Sequence, residues 1–233
     1  MDSRTKILNA IKSALGNTNQ SNMSLPELSN IGEYKRVSIA EKIKRFSENL
    51  KAVAGESVVC SDFESVITEI SLRLRKLEQN TNEISPSFLL GAYNSDLVKS
   101  LVSNIGLPPN WRVEFPPEDP EVDSQDYQYM TASLVSSNLL LADTGSCVVE
   151  AHSAFERLLC YLSPVCFVLA RASQLRENLF EAWNEIETLM KKANQHGETA
   201  IITGPSRTAD IEKKLVLGVH GPQILYVFII NDN

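Results

Sequence analysis

The segment Thr203–Pro222 carries the residue types best suited to binding an anion. It directly follows a predicted strand, and ligands of open α/β sheets bind outside the carboxyl ends of strands. Gly204 lets the backbone approach a ligand closely, and Ser206 can cap a helix that follows. Arg207 adds a forked cationic donor, so this turn predicts a site for a carboxylate or a phosphate. A capped helix in which Arg207 pairs with Asp210 is the purely structural alternative.

Histidine and glutamate supply the candidate acid–base groups. Two glycines and a proline surround His220 in the segment Gly218–Pro222, which predicts a constrained turn that aims the imidazole. Glu150 ends a predicted strand and is either a carboxylate nucleophile or an exposed strand-end charge. His152, His220 and Asp143 lack the spacing of metal ligands, so the sequence predicts no metal site.

The standard cofactor motifs are absent from the sequence. It contains no G-x-G-x-x-G, no G-x-x-x-x-G-K-[ST], no H-E-x-x-H and no G-x-S-x-G. The four cysteines show no C-x-x-C spacing and lie among apolar neighbours; they are Cys60, Cys147, Cys160 and Cys166. We therefore expect reduced core thiols, and neither a cofactor nor an iron–sulfur cluster in this chain.

Composition excludes several classes of protein. The 233 residues are 43% hydrophobic and 22% charged, which is typical of a globular domain. A net charge of −7 disfavours a nucleic-acid-binding protein. The sequence has no run of 18 apolar residues, so no membrane span is predicted. Because the first 16 residues carry charges and lack an apolar core, we expect no secretory signal and a cytoplasmic location.

The N-terminal region is predicted to be separate from the main domain. Apolar residues at helical spacing predict a short helix over Ser3–Leu15, and Gly16 ends it. A polar run over residues 17–24 then predicts a flexible tether, so the helix is available to pack on a partner. We divide the chain into an N-terminal helix and tether, residues 1–37, and an α/β domain, residues 38–233.

Short apolar strands alternate with amphipathic helices along the remaining chain. Capping boxes at Ser38/Glu41 and Ser61/Glu64 start two of the helices. A long helix is predicted to start at Ser173, with an inward face of Leu175, Leu179, Trp183, Ile186 and Met190. Strands are predicted at 57–60, 87–90, 111–115, 139–143, 147–150, 165–170, 199–203 and 224–230. This alternation predicts an α/β fold with a largely parallel sheet covered on both faces.

Two C-terminal segments carry a resemblance to a known family. Thr203–Glu212 together with Leu217–Pro222 closely resembles the signature of the LUD domain family, the LutC/YkgG-like lactate utilization proteins. Ala142–Ser146, Arg157 and Pro164 fit the same family, and the match covers roughly residues 38–230. The resemblance implies a three-layer α/β/α fold similar to the NagB/RpiA/CoA-transferase-like superfamily, with a short N-terminal helical extension.

The resemblance also implies a function. It indicates an accessory component of a system that oxidises L-lactate to pyruvate, with iron–sulfur clusters in the partner proteins. The alternative is a stand-alone enzyme or binding protein for an anionic small molecule, such as a phosphosugar, an acyl-CoA or a folate-like compound. Whether the chain is catalytic by itself stays open.

We predict that three glycine-rich turns converge on one ligand pocket, because each follows or joins strands; they are Thr144–Ser146, Gly204–Arg207 and Gly218–Pro222. The candidate ligand-binding residues are Thr144, Gly145, Ser146, Arg157, Gly204, Ser206, Arg207, Asp210, His220 and Gly221.

Overall fold

The computed structural model describes residues 3–15, 37–80, 88–116, 129–192, 198–209, 215–217 and 221–232. The helices are α1 (Ser3–Leu15), α2 (Ile39–Ala52), α3 (Phe63–Gln79), α4 (Asp96–Asn104), α5 (Ala154–Leu159) and α6 (Leu179–Lys192). The first strands are β1 (Glu56–Cys60), β2 (Phe88–Ala92), β3 (Trp111–Glu114), β4 (Ala132–Ser136), β5 (Leu139–Leu141) and β6 (Ser146–Ala151). They are followed by β7 (Val165–Arg171), β8 (Leu175–Arg176), β9 (Glu198–Ile202), β10 (Arg207–Ala209), β11 (Leu215–Leu217) and β12 (Ile224–Ile230).

The chain forms two compact units, Met1–Arg36 and Val37–Asn233. The first contains α1, on which Ile7, Leu8 and Ile11 are exposed. None of the described helices is both long enough and apolar enough to cross a membrane.

A six-stranded parallel sheet forms the centre of the second unit, in the order β1-β12-β7-β4-β2-β3. Every residue of Val165–Ala170 is buried, although alternate side chains of a strand point to opposite faces. Both faces of the sheet are therefore covered at this strand, as its unbroken apolar run predicts. The predicted α/β fold with a mostly parallel central sheet is confirmed.

A second sheet, in the order β8-β5-β6-β9, was not predicted. β6 pairs antiparallel with both β5 and β9. Ala182 and Ile186 of α6 pack against Leu139, Leu141 and Val148 of this sheet. β10 and β11 form a separate antiparallel ribbon.

The prediction for the last long helix was wrong in its start and in most of its inward face, of which Ile186 is buried as predicted. Residues 172–174 form a 3-10 turn, and α6 begins at Leu179, where the Asn178 side chain accepts a hydrogen bond from the Glu181 N–H at 2.9 Å. Trp183 and Met190 are 50% and 56% exposed. The buried face is rotated to Ala182 and Ile186 because the sheet beneath the helix is the unpredicted one.

The capping prediction was correct for α2 and displaced by one residue for α3. Ser38 caps α2 as predicted, and its hydroxyl accepts a hydrogen bond from the Glu41 N–H. The cap of α3 is Asp62 rather than Ser61, and it forms a capping box with Ser65 instead of Glu64. The hydrogen bonds from Ser65 and Ser61 lower the pKa of Asp62 below its usual value.

Candidate functional site

The order of the strands places a crevice between β2 and β4. After β2 the chain passes through α4 to β3 on one side, whereas after β4 it returns toward β7 on the other side. Neighbouring parallel strands that the chain leaves in opposite directions form a topological switch point, where open α/β sheets bind ligands. The segments that leave these strands are Tyr93–Ser95 and Ser137–Asn138.

A groove of about 650 Å³ opens at this edge of the sheet and continues toward α6. Its volume lies within the range of small-molecule sites. The polar part of its wall includes Ser95, Ser136, Asn138, Arg171, Asn184 and Thr188. These residues come from four separate segments of the chain, so the fold alone brings them together.

Gln174 fixes the floor of the groove. Its side-chain amide donates to the backbone oxygens of Ser137 and Asn138, at 2.8 and 3.1 Å. Its side-chain oxygen accepts from the Arg171 N–H at 2.6 Å. One side chain thus ties the end of β7 to the loop after β4, which keeps Asn138 and Arg171 on the same groove.

Two buried carboxyl groups lie next to the groove. Glu156 is 2% exposed, and its two oxygens accept hydrogen bonds from the backbone N–H groups of Asn94 at 3.2 Å and His152 at 2.7 Å. Its position in the first turn of α5 is held by the cap Ser153. Glu156 therefore joins the ends of β2 and β6 through charge-assisted hydrogen bonds.

Glu150 is buried too, at 6% exposed, so the expectation of an exposed strand-end charge was wrong. Glu150 lies opposite Thr199 of β9 within the second sheet. The Glu150 N–H donates to the Asn138 side-chain oxygen at 3.0 Å, and the Asn138 amide lies 3.5 Å from the Glu150 carboxylate. The Asn138 side chain therefore lines the groove and contacts the Glu150 carboxylate, which does not line it.

Two polar atoms of this cluster lack hydrogen-bond partners among the described residues. They are Oε1 of Glu150, which is buried, and the Tyr93 hydroxyl, which belongs to a side chain only 5% exposed. Burial raises the pKa of Tyr93, and the charges of Glu156, Cys160 and Glu150 raise it further. His152, with a largely exposed ring, has its Nδ1 3.9 Å from Glu150 Oε1. The cluster therefore holds a protonated hydroxyl donor and a carboxylate acceptor.

The glycine-rich turns lie elsewhere on the domain. The Ser146 hydroxyl is 2.7 Å from both the Thr144 and the Thr203 hydroxyls, which connects the start of β6 to the end of β9. Gly204, Ser206 and Gly221 line a smaller pocket of about 320 Å³. The Ser206 N–H donates to the Pro222 carbonyl at 2.8 Å. Two of the three turns therefore meet at one pocket.

The third turn is used for packing. Gly145 has φ +66°, and a Cβ atom there would lie 2.3 Å from the backbone nitrogen of Leu50 in α2. This close approach of α2 explains the glycine without a ligand. Asp210 and His220 lie outside the described residues.

The prediction of a helix after Ser206 was wrong. Residues 207–209 form β10, because each of them pairs with a residue of β11. Arg207 is exposed at the start of this ribbon.

Arg157 lies in α5, and its Nε is 3.9 Å from the Glu198 carboxylate. The same carboxylate accepts a hydrogen bond of 2.9 Å from the Tyr161 hydroxyl. Burial and this hydrogen bond raise the pKa of Tyr161 to about 12.

All four cysteines are free and buried. Burial is the largest cause that raises the pKa of Cys60 and of Cys166 to about 11. The pKa values of Cys147 and Cys160 are raised further by the same cause. The thiol form, which is a poor metal ligand, is therefore favoured at neutral pH. Within the described ranges, no three His, Cys, Asp or Glu side chains are arranged to hold a metal ion.

Comparison with known proteins identifies a family and a fold. The LUD domain family model matches residues 43–230. Lactate utilization protein C of Bacillus pumilus (strain SAFR-032) is 34% identical over 101 residues, which cover 43% of this chain and 42% of that protein. Lactate utilization protein C of Macrococcus caseolyticus (strain JCSC5402) is 32% identical over 98 residues, 41% of this chain and 42% of that protein. These alignments thus span less than half of either relative.

One solved structure resembles the domain. The crystal structure of a DUF162 family protein from Deinococcus radiodurans aligns with a TM-score of 0.52 and 16% sequence identity. The alignment covers 84% of this chain and 99% of that one. At this identity the likeness shows the fold alone.

Proposed function

This chain belongs to the LUD domain family, and on that premise we propose that it is a LutC-like lactate utilization protein. Its role is that of an accessory component of a cytoplasmic, iron–sulfur-containing system that oxidises L-lactate to pyruvate. The observation that carries the proposal is the family match over residues 43–230, together with relatives named lactate utilization protein C.

The proposal assigns the redox groups to partner proteins. Oxidation of L-lactate to pyruvate removes two electrons and two protons, and the electrons pass to the partners' iron–sulfur clusters. Burial of the four thiols in this chain supports that assignment, because a cluster ligand must be a thiolate. Exposed Ile7, Leu8 and Ile11 make α1 the element proposed to dock on such a partner.

Arg207 is expected to hold an anionic ligand or a partner's carboxylate rather than to stabilise the fold. It is exposed, so Arg207→Ala should change the free energy of unfolding by no more than about 0.5 kcal/mol. Loss of a charge-assisted contact should weaken binding by roughly 10–150-fold. The measurement is growth on L-lactate of a strain in which the variant replaces the native protein, with melting of the purified variant alongside.

The matched control is Arg112→Ala, since the Arg112 side chain is 62% exposed on β3. Loss of lactate growth with an unchanged melting temperature, for Arg207→Ala and not for the control, supports the binding role. Normal growth of the Arg207→Ala strain on lactate would remove Arg207 from the proposal.

The groove favours a second candidate function. Its volume of about 650 Å³ and the guanidinium in its wall suit a stand-alone enzyme or binding protein for an anionic small molecule. A binding screen of the purified chain with phosphosugars, acyl-CoA and folate-like compounds tests this candidate. Tight binding of one of them, with normal growth on lactate after deletion of the gene, favours it over the accessory role.

A further inference from the structure

Strand β9 lies at the edge of the second sheet. The order β8-β5-β6-β9 places it last, and among the described residues its main chain pairs only with β6. An edge strand presents N–H and C=O groups that can pair with another strand, and natural proteins usually protect such an edge with charges, proline or a bulge. The sequence of β9, Glu-Thr-Ala-Ile-Ile, has one charge, at its first residue, and no proline. The edge is therefore poorly protected against pairing.

The smaller pocket, of about 320 Å³, lies along this free edge. Ala200, Ile201 and Ile202 all line it, although neighbouring side chains of a strand point to opposite faces. Three consecutive residues of a strand share one pocket where the pocket meets the main chain. Because the other edge of β9 is paired with β6, the pocket meets the unpaired edge.

Exposed apolar side chains surround the same pocket. Tyr161 and Ile201 line it, Leu162 follows Tyr161 in the chain, and Ile224 precedes the lining residue Leu225. Tyr161, Leu162, Ile201 and Ile224 are each at least 40% exposed. A cluster of exposed apolar residues beside a pocket is typical of a protein interaction surface.

The other edge strands differ from β9 in their charges or their length. β3 carries Arg112 and Glu114, and β8 has only two residues. The pocket that Glu56 of β1 lines also contains Glu48 and Lys51. The described lining of the pocket beside β9 contains no charged residue. β9 is therefore the edge best suited to an apolar contact.

The charge distribution favours a second copy of this chain as the partner. The net charge of −7 makes two copies repel each other, unless they meet where local charge is balanced. The Glu198 carboxylate, the one acid of β9, lies 3.9 Å from Arg157 Nε.

Antiparallel pairing of two β9 strands about a two-fold axis at Ala200 also keeps the acids apart. Glu198 of each copy then lies opposite Ile202 of the second copy, and Thr199 lies opposite Ile201. The two Glu198 side chains are roughly 14 Å apart, whereas exposed charges are screened over about 8 Å at physiological salt. Thr199 and Ile201 are both β-branched, a type of residue that favours cross-strand pairs.

We propose that two copies of the chain form a dimer through antiparallel pairing of their β9 strands, with Ala200 on the two-fold axis. The second copy closes the open side of the pocket that Gly204, Ser206 and Gly221 line. The pocket is then complete only in the dimer. This interface goes beyond the proposed role in lactate oxidation and does not depend on it.

Sedimentation velocity of the full chain over a concentration series tests the dimer. The native chain should reach the mass of two chains at about 100 µM, as for a small interface. Ile201→Glu should weaken dimerisation at least about tenfold, because each dimer loses two isoleucine contacts and gains two negative charges roughly 8 Å apart. The melting temperature of the variant shows whether it is folded.

The matched control is Val59→Glu. Val59 is 50% exposed on the edge strand β1, and Ile201 is 46% exposed on β9. Val59→Glu should dimerise like the native chain. A native chain that stays monomeric at about 100 µM would overturn the proposal. A control that weakens the dimer as much as Ile201→Glu would overturn it as well.

Ala200→Cys tests the register without relying on the Ile201→Glu variant. Opposite residues of antiparallel strands have Cβ atoms about 4.5–5.5 Å apart, close to the distance that a disulfide spans. Mild oxidation should therefore link two Ala200→Cys copies covalently. It should not link copies of Val59→Cys, and the four native cysteines are buried. Absence of a linked Ala200→Cys dimer would contradict the proposed interface, whereas growth on L-lactate tests the proposed function separately.

Discussion

Replacing Gly145 with alanine is expected to lower the free energy of unfolding by about 3–5 kcal/mol, which is among the larger effects of single substitutions. The backbone there has φ +66°, a region in which a Cβ atom costs about 1–2 kcal/mol. The added Cβ would also lie 2.3 Å from the nitrogen and 2.7 Å from the Cα of Leu50. Both atoms belong to the backbone of α2, so α2 itself must shift.

Urea unfolding of the variant measures this effect, with Gly106→Ala as the matched control. A Cβ at Gly106 meets no atom within 4 Å, so that change should stay within about 0.5 kcal/mol. If Gly145→Ala were equally harmless, close packing on α2 would not be the reason for the glycine.

Replacing Glu156 with alanine should cost about 2–4 kcal/mol of unfolding free energy, because two backbone N–H groups lose their acceptor. The carboxylate is 2% exposed and bonds both Asn94 and His152, so water cannot easily take its place. Glu156→Gln should cost less, since the amide keeps one oxygen as an acceptor. Urea unfolding of both variants gives the comparison.

Glu185→Ala is the control for Glu156, because it removes a carboxylate whose side chain is 46% exposed and paired with Arg176. Its loss should cost no more than about 1 kcal/mol. If Glu156→Ala were as mild as this control, Glu156 would not hold the ends of β2 and β6 together. A loss for Glu156→Gln as large as for Glu156→Ala would instead show that the charge itself is essential.

The sequence was sufficient to predict elements whose signals are local. Ser38 and Glu41 predict the start of α2 because a helix cap needs only a side chain and a backbone group three residues apart. The run Val165–Ala170 predicts a central strand because a strand buried on both faces is apolar throughout.

The face of α6 could not be predicted because it depends on a distant partner. Leu179, Trp183 and Met190 follow a helical spacing, but the sheet beneath α6 contains residues 139–151 and 198–202, whose pairing is not local. The apolar spacing alone does not say which side of a helix that sheet will cover. The ribbon formed by β10 and β11 was missed for the same reason, since capping residues also suit turns between strands.

The groove was missed because its residues are individually ordinary. Ser136, Asn138 and Arg171 are polar residues at strand ends, a common place for polar residues. β4 was not predicted, so the crevice between β2 and β4 could not be located from the sequence. The role of Glu156 could not be predicted from the sequence either, because one of its hydrogen-bond partners, Asn94, is 62 residues away in the chain.

Affinity purification of the tagged full chain from cells grown on L-lactate tests the proposed function most directly. We expect iron–sulfur proteins to co-purify in fixed proportion. We also expect the eluate to contain iron and labile sulfide and to oxidise L-lactate to pyruvate with an added electron acceptor. The same purification from cells grown on glucose is the control. A chain that elutes alone from lactate-grown cells, in an organism that still grows on lactate when the gene is deleted, would contradict the proposed role in lactate oxidation.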